Sequence, residues 1–144
     1  QLRYTEIMPE HTAGYREIEH TADRELLLWP PDLPALLEQA ARGMFALSQT
    51  ELAEGLRRPI EFELPFSDRE SLLVDFLAEL LFFAEEQNLA PEQYQLNFDG
   101  INLKVSLAAA PILSQAKEIK AVTYHRLQIR ATEKGIEVNI VFDV

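Results

Sequence analysis

The stretch at residues 72–83 constrains the fold more than any other, because it predicts a helix that is apolar around most of its circumference. A helix of that kind is buried on nearly all sides, so other elements must enclose it. Its apolar residues are Leu72, Leu73, Val74, Phe76, Leu77, Leu80, Leu81, Phe82 and Phe83. Residues 67–70 have the pattern of a capping box, in which the Ser67 hydroxyl and the Glu70 carboxylate accept hydrogen bonds from free N–H groups at the helix start. We predict that this helix is central and ends near Asn88.

A second, amphipathic helix is predicted from about Asp32 to about Leu47. Asp32 follows two prolines and is expected to cap the N-terminus, and Pro34 is tolerated in the first turn. The apolar residues at helical spacing form one stripe, which predicts packing against a sheet or the other helix rather than a ligand site. The stripe consists of Leu33, Leu36, Leu37, Ala40, Ala41, Met44 and Phe45.

Much of the remaining sequence alternates apolar and polar residues, which predicts strands. The predicted strands cover residues 15–18, 25–29, 59–65, 94–98, 101–107, 127–131 and 136–142. Between two of them, Asp99-Gly100 favours a two-residue hairpin turn with positive φ angles. Residues 48–57 are predicted to be a loose connection. Residues 108–119 are apolar but without a period around Pro111, and we predict a loop with a short helical turn there.

These elements predict an α+β fold of seven or eight strands, mainly antiparallel, with two helices packed on them. Hairpin connections predominate and no βαβ rhythm repeats, which disfavours a doubly wound sheet. A chain of 144 residues is expected to form a single domain, residues 1–144, with its own core. Residues 1–13 show no clear period and are predicted to be an N-terminal arm or edge strand.

Other features of the sequence exclude several classes of protein. No apolar run approaches the roughly 20 residues of a membrane span, and the start lacks a signal-peptide pattern, so we expect a cytoplasmic protein with no membrane contact. Cysteine is absent, and the five glycines form no phosphate-binding loop. The usual sequence signatures of an enzyme are therefore missing.

The chain is strongly acidic, with 24 Asp and Glu residues against 13 Lys and Arg and a formal net charge of −11. Proteins that hold nucleic acid by its phosphates usually carry a basic stripe, and none is visible here. The acidity either serves solubility alone, or it meets a basic protein partner or concentrates a cation. Composition does not choose between these interpretations.

Candidate site residues cluster at the two ends of the sequence. Residues 19–23 place two carboxylates, an imidazole and a hydroxyl within five positions, including His20 and Asp23. At the far end, the carboxylate of Asp143 stands beside the terminal carboxylate of Val144. Together these oxygen-rich groups suggest a cation site, because hard cations prefer oxygen ligands. Each residue also has a simpler explanation, as a hydrogen-bonding, capping or surface group.

Two further carboxylates, Asp75 and Glu79, lie four residues apart and therefore share a face of the predicted central helix. Like charges at this spacing on an exposed helix repel modestly. The pair is either a solvated stripe or a carboxylate pair turned toward the site.

The order of several separated motifs is similar to that of the archease family, small acidic proteins that assist the GTP-dependent RNA-splicing ligase. The resemblance runs from about Tyr15 to Val144. It comprises the Glu-His-Thr-Ala-Asp turn, an Ala-rich first helix, the second helix at residues 72–81, Lys-Ala-Val-Thr-Tyr-His at residues 120–125, and an Asp plus one apolar residue at the end. It implies a protein cofactor rather than a stand-alone catalyst. Such a cofactor speeds GTP-dependent activation of the ligase and its repeated turnover in tRNA splicing and RNA repair, with only indirect RNA contact.

Carried over to this sequence, the family's divalent-cation site falls on Asp23, Asp143 and the terminal carboxylate of Val144. The resemblance also implies that His20, Lys120 and His125 lie close by. Oxygen ligands suit calcium, our first choice, or magnesium or manganese better than zinc. The sequence departs from the family pattern at Arg24-Glu25, where an apolar and a small residue are common, and about a dozen residues precede Tyr15.

A small metal-dependent hydrolase is the alternative function. In that case Asp23 and Asp143 hold a cation that lowers the pKa of a bound water, and His20 or His125 is the general base. The absence of a nucleotide loop or a recognisable nucleophile favours the ligase activator.

Overall fold

The computed structural model describes residues 14–19 and 23–144 of the chain. Within these ranges the chain forms two α-helices and eight β-strands. In chain order they are β1 (Tyr15–Glu19), β2 (Asp23–Leu28), α1 (Leu33–Leu47), β3 (Glu51–Leu52), β4 (Arg58–Pro65), α2 (Arg69–Gln87), β5 (Leu89–Phe98), β6 (Asn102–Ser114), β7 (Ala121–Thr132) and β8 (Gly135–Asp143). The predicted arm at residues 1–13 and residues 20–22 of the predicted turn lie outside the described residues.

The strands form two antiparallel sheets. The first sheet has the order β1-β2-β8-β7, so β8 lies inside it. In the second sheet, β6 pairs with β5, β4 and β3. The predicted α+β class, with mainly antiparallel pairing, is confirmed. In the described part of the chain, no helix is long and apolar enough to cross a membrane.

Both helices contact strands of both sheets, so the apolar side chains merge into one core. Helix α1 packs on β1, β2 and β5, and α2 packs on β7, β4 and β5. Phe76, Leu77 and Leu80 of α2 are completely buried, as predicted for a central helix. The enclosure ends near the C-terminus of α2, where Phe82 is 53% exposed and contacts the ring of Phe83.

The helix starts are set by aspartates. Asp32 caps α1 as predicted, accepting a hydrogen bond from the Ala35 N–H at 2.9 Å. The cap of α2 is Asp68, which accepts from the Ser71 N–H at 2.8 Å, so the predicted capping box with Ser67 was wrong. Because the helix begins one residue later, Glu70 is too early in the first turn to close the box. Its carboxylate accepts instead from the backbone N–H of Ile129 on β7.

The predicted hairpin between β5 and β6 is confirmed, but its turn differs from the expected one. Only Gly100 has a positive φ, of 94°. Asp99 contributes its side chain, whose Oδ1 accepts from the N–H groups of Ile101 and Asn102 at 3.0 and 2.7 Å. These bonds to the charged form lower the pKa of Asp99.

The loop predicted for residues 108–119 was wrong for residues 108–114, because β6 continues as a strand to Ser114, and it was right for residues 115–119, which contain no helical turn. Ala109 and Ala110 are both fully buried, so this part of the strand is covered on both faces and shows no alternation. Pro111 lies where the neighbour of β6 changes. On the β4 side of β6, strand pairing ends at Ala109. Two residues later, the Pro111 carbonyl accepts a hydrogen bond from the Ala53 N–H. Because pairing with β4 has already ended, the missing N–H of the proline interrupts no ladder bond on that side. The short β3 lies within the connection predicted as loose.

The turn between β7 and β8 lies against the segment that joins β2 to α1. The Ile136 N–H donates to the Pro30 carbonyl at 3.0 Å. Gly135 has a φ of 138°, and a Cβ at this position would lie only 2.6 Å from the Pro30 carbonyl oxygen. Glycine is therefore required here both by backbone conformation and by space.

Candidate functional site

The structure brings Asp23 and Asp143 together across the sheet. They are directly paired residues of the antiparallel β2–β8 ladder, and Ala121 of β7 faces Asp143 from the other side. Side chains of directly opposed residues project from the same face, with Cβ atoms roughly 4.5–5.5 Å apart. The two carboxylates therefore share one end of the first sheet.

The two carboxylates differ in their surroundings. Asp143 is exposed, whereas the Oδ1 atom of Asp23 is buried and has no hydrogen-bond donor among the described residues. A buried carboxylate oxygen without a partner is costly, and a second carboxylate opposite it adds repulsion. A cation at this point would satisfy both groups, so the residues fit the cation that the sequence suggests.

A complete metal shell is not formed by side chains of the described residues alone. No group of three or more His, Cys, Asp or Glu side chains in residues 14–19 and 23–144 has metal-binding geometry. Val144, whose carboxylate is the third expected ligand, follows Asp143 directly, and its side chain packs on the core. His20 lies outside the described residues.

Lys120 lies at the same end of the sheet. Its backbone N–H donates to the carbonyl of Asp143 at 2.8 Å, and its side chain is exposed. The backbone of Lys120 therefore adjoins that of Asp143, whereas the expected place of its ammonium group beside the cation site stays a prediction. The exposed Lys120 side chain is available to an anionic group of a partner.

His125 lies in an irregular part of β7, residues 124–127, which we call the 124–127 bulge. Thr123 pairs with Val141 and Gln128 pairs with Asn139, so four residues of β7 lie opposite a single residue of β8. The Thr123 hydroxyl donates to the Val141 carbonyl at 2.9 Å and accepts from the His125 N–H at 3.3 Å. The His125 side chain is exposed on the strand that borders Asp143.

A bonded polar network, which the sequence did not reveal, covers the same face of the sheet. Glu25 is only 6% exposed, and its two oxygens accept from Asn139 Nδ2 at 2.6 Å and from Arg126 Nη2 at 3.3 Å. Arg130 donates to Asn139 Oδ1 at 2.9 Å and to Glu137 Oε1 at 3.1 Å. Strand alternation places Glu25, Asn139 and Glu137 on this outer face, but the sequence gives no sign that the bulge brings Arg126 across to Glu25.

The departure from the family pattern at Arg24-Glu25 is therefore accommodated by ion pairs. Arg24 Nε lies 3.5 Å from Glu17 Oε2, and Glu25 contacts Arg126. Both residues lie within β2, which pairs regularly with β1 and β8.

Asp75 and Glu79 do not lie on the outer face of the first sheet, where Asp23 and Asp143 lie. They lie on α2, exposed and half-buried respectively. The helices cover the face of the first sheet that carries the buried Leu26 and Ile140, whereas alternation directs Asp23 and Asp143 to the opposite face. A role for Asp75 and Glu79 in partner contact stays a prediction.

The fold and the paired carboxylates define a class of small α+β protein in which two helices pack between two antiparallel sheets. A sequence model of the Archease protein family (MTH1598/TM1083) matches residues 15–144. The chain belongs to the archease family.

Individual relatives agree with this assignment along nearly their whole length. The chain is 33% identical to Protein archease of Danio rerio over 94% of this chain and 88% of the relative. It is 31% identical to Protein archease of Methanosarcina mazei over 95% of this chain and all of the relative. The crystal structure of an archease from Thermotoga maritima, described as a possible chaperone, superposes with a TM-score of 0.68 at 26% identity, covering 90% of this chain and 96% of that one.

Proposed function

We propose that this protein is a cofactor of the GTP-dependent RNA-splicing ligase. It binds the ligase transiently and promotes its guanylylation by GTP and its multiple turnover in tRNA splicing and RNA repair. The observation that supports this most strongly is the pairing of Asp23 with Asp143, because it forms one acidic site from the two segments that carry the family resemblance. The choice of the ligase as partner rests on the family resemblance of the sequence, and membership of the archease family supports it.

The acidic site holds a divalent cation, calcium in the first place and magnesium or manganese otherwise. Asp23 and Asp143 supply carboxylate oxygens, and the carboxylate of Val144 is the third candidate ligand. When bound, the cation supplies positive charge that can attract a phosphate or carboxylate of the ligase. The buried Asp23 Oδ1 supports this, since no donor among the described residues satisfies it.

Lys120 and His125 are proposed to face the ligase. Lys120 presents its ammonium group at the border of the acidic site, and His125 presents an imidazole from the bulge. The acidic protein, with a net charge of −11, is suited to a basic protein surface rather than to RNA phosphates. RNA contact is therefore indirect. We also propose that the activity is cytoplasmic.

The test is a reconstituted reaction of ligase, GTP, calcium and this protein, in which guanylylation and the number of ligation turnovers are measured. Asp23→Asn and Asp143→Asn should remove most of the stimulation, whereas Glu61→Gln, an exposed carboxylate on β4 of the second sheet, should not. Full stimulation by both aspartate variants would refute the role of the acidic site.

The same preparation is incubated with a panel of phosphoesters without the ligase. Turnover there that depends on Asp23 and His125 would establish the hydrolase alternative instead. We expect none, because the sequence contains no recognisable nucleophile motif or nucleotide loop.

A further inference from the structure

We infer that the ion pair between Glu25 and Arg126 is a positioning element that holds the 124–127 bulge against the outer face of the first sheet. By doing so it fixes the exposed Tyr124 and His125 as a contact surface for the ligase. This inference rests on the proposed function for the identity of the partner. The geometry of the anchor itself does not depend on that identity.

The bulge needs an anchor because its own strand pairing cannot fix it. Ladder pairing of β7 with β8 stops at Thr123 and resumes at Gln128. Arg126, in the middle, has a φ of 56°, a left-handed conformation that residues other than glycine seldom adopt. Such a conformation persists only where surrounding contacts determine it.

The Arg126 side chain supplies such a contact across two strands. It starts on β7, passes over β8 and reaches Glu25 on β2, where Nη2 lies 3.3 Å from Oε1. The Glu25 side chain is 8% exposed and that of Arg126 is 56% exposed. A carboxylate buried to this degree needs a charged or well-bonded partner, so the pair constrains Arg126 more strongly than a surface ion pair would.

The carboxylate that receives Arg126 is itself fixed in place. Asn139 donates to the other oxygen of Glu25, and Arg130 holds Asn139 from the far side while it also binds Glu137. The anchor is thus part of a continuous chain of bonds over β2, β8 and β7. Tyr124, 57% exposed, and His125 project from the segment that this chain holds.

Two single variants and their combination test the anchor. Glu25→Gln keeps the shape of the side chain and removes its charge. Arg126→Asn removes the guanidinium while keeping a residue that tolerates left-handed φ. Arg58→Asn, at an exposed arginine on β4, is the matched control. Each variant is compared with the parent by amide hydrogen exchange of the peptide covering residues 121–128.

We expect exchange in this peptide to accelerate about tenfold in either single variant, as for loss of one charge-assisted hydrogen bond. The double variant should exchange no faster than the single ones, because all three lack the same ion pair. Calcium affinity should be unchanged, since Asp23 and Asp143 remain. Unchanged exchange in Arg126→Asn, whose side chain is largely exposed and not needed for the core, would overturn the inference.

The effect on the ligase is read from guanylylation at increasing concentrations of each variant. The half-saturating concentration should rise while the maximal rate is kept, because the contact surface is loosened but the acidic site is intact. Faster amide exchange in the bulge with an unchanged half-saturating concentration would overturn the positioning role. The proposed function would still stand. A loss of calcium affinity would also overturn it, because the pair would then support the acidic site rather than the bulge.

Discussion

Asp23 on β2 and Asp143 on β8 face each other as a direct pair of the antiparallel ladder, although one lies near the beginning of the chain and the other near its end. Without a cation this arrangement opposes two negative charges in adjacent strands. The structure therefore contains a local electrostatic cost that a bound cation would relieve.

Calcium should stabilise the parent protein and should fail to stabilise Asp143→Asn. A ligand that binds only the folded state raises the free energy of unfolding by about 2.7 kcal/mol at 100 times its Kd. Asp143→Asn in the absence of metal should be as stable as the parent or slightly more stable, because the repulsion is removed. Thermal melts with calcium and with a chelator measure both effects. An equal calcium response in parent and variant would exclude Asp143 as a ligand.

Lys120→Ala should keep the fold and calcium binding while lowering ligase guanylylation. In the structure Lys120 bonds to Asp143 through its backbone N–H, and the variant keeps that group. Calcium should bind equally well or slightly more tightly, since a neighbouring positive charge is lost. Lys120→Arg should rescue only in part, because a planar guanidinium does not replace a compact ammonium. The control is Lys134→Ala, at an exposed lysine in the β7–β8 turn. Full activation by Lys120→Ala would mean that Lys120 does not act on the ligase.

Gly135→Ala should destabilise the protein more than Gly55→Ala. Both glycines have positive φ, so both substitutions carry a conformational cost of about 1–3 kcal/mol. Only at Gly135 would the new Cβ also meet the Pro30 carbonyl at 2.6 Å, whereas nothing lies within 4 Å at Gly55. The added crowding should cost a further 1–3 kcal/mol or so. Urea unfolding of the two variants measures the difference, and equal losses would show that the Pro30 segment moves aside freely.

Asp99→Asn should lower the free energy of unfolding relative to the parent at neutral pH, but not in acid. The backbone N–H groups of Asn102 and Ile101 lower the pKa of Asp99, so its charged form stabilises the folded state above the unfolded pKa of about 4. That contribution disappears as the pH falls through the lower folded pKa. Unfolding curves of parent and variant should therefore differ by a constant amount above about pH 5 and converge below pH 4. A difference that persists in strong acid would mean that the amide disrupts the turn by its shape.

The sequence predicted those elements in which one face is buried and the other is not. Apolar and polar residues alternate in β4 and β5 because the polar residues face solvent. This alternation makes both strands recognisable in the sequence. The second half of β6 escaped prediction because Ala109 and Ala110 are buried on opposite faces and Pro111 is usually a strand breaker. Where both faces are covered, the period that identifies a strand is lost.

The candidate site was predictable only where it lies on regular strands. The juxtaposition of Asp23 and Asp143 followed from motif order, and the β2–β8 register supplies its geometry. The network of Glu25 with Arg126 could not be predicted, because it depends on three extra residues in β7, between the pairing at Thr123 and the pairing at Gln128. Local sequence does not encode where a ladder stops and resumes.

The place of β8 inside the first sheet has a consequence for the order of folding. β1 with β2 and β7 with β8 are hairpins that can form locally, but the ladder that joins them closes a loop over almost the whole described chain. Closing such a loop costs conformational entropy and therefore slows folding. The β2–β8 ladder should be among the last parts of the protein to form. Asp23 meets Asp143 only in that ladder. A nascent or partly unfolded copy therefore displays no acidic pair, and only chains that have completed their topology carry the proposed cation site.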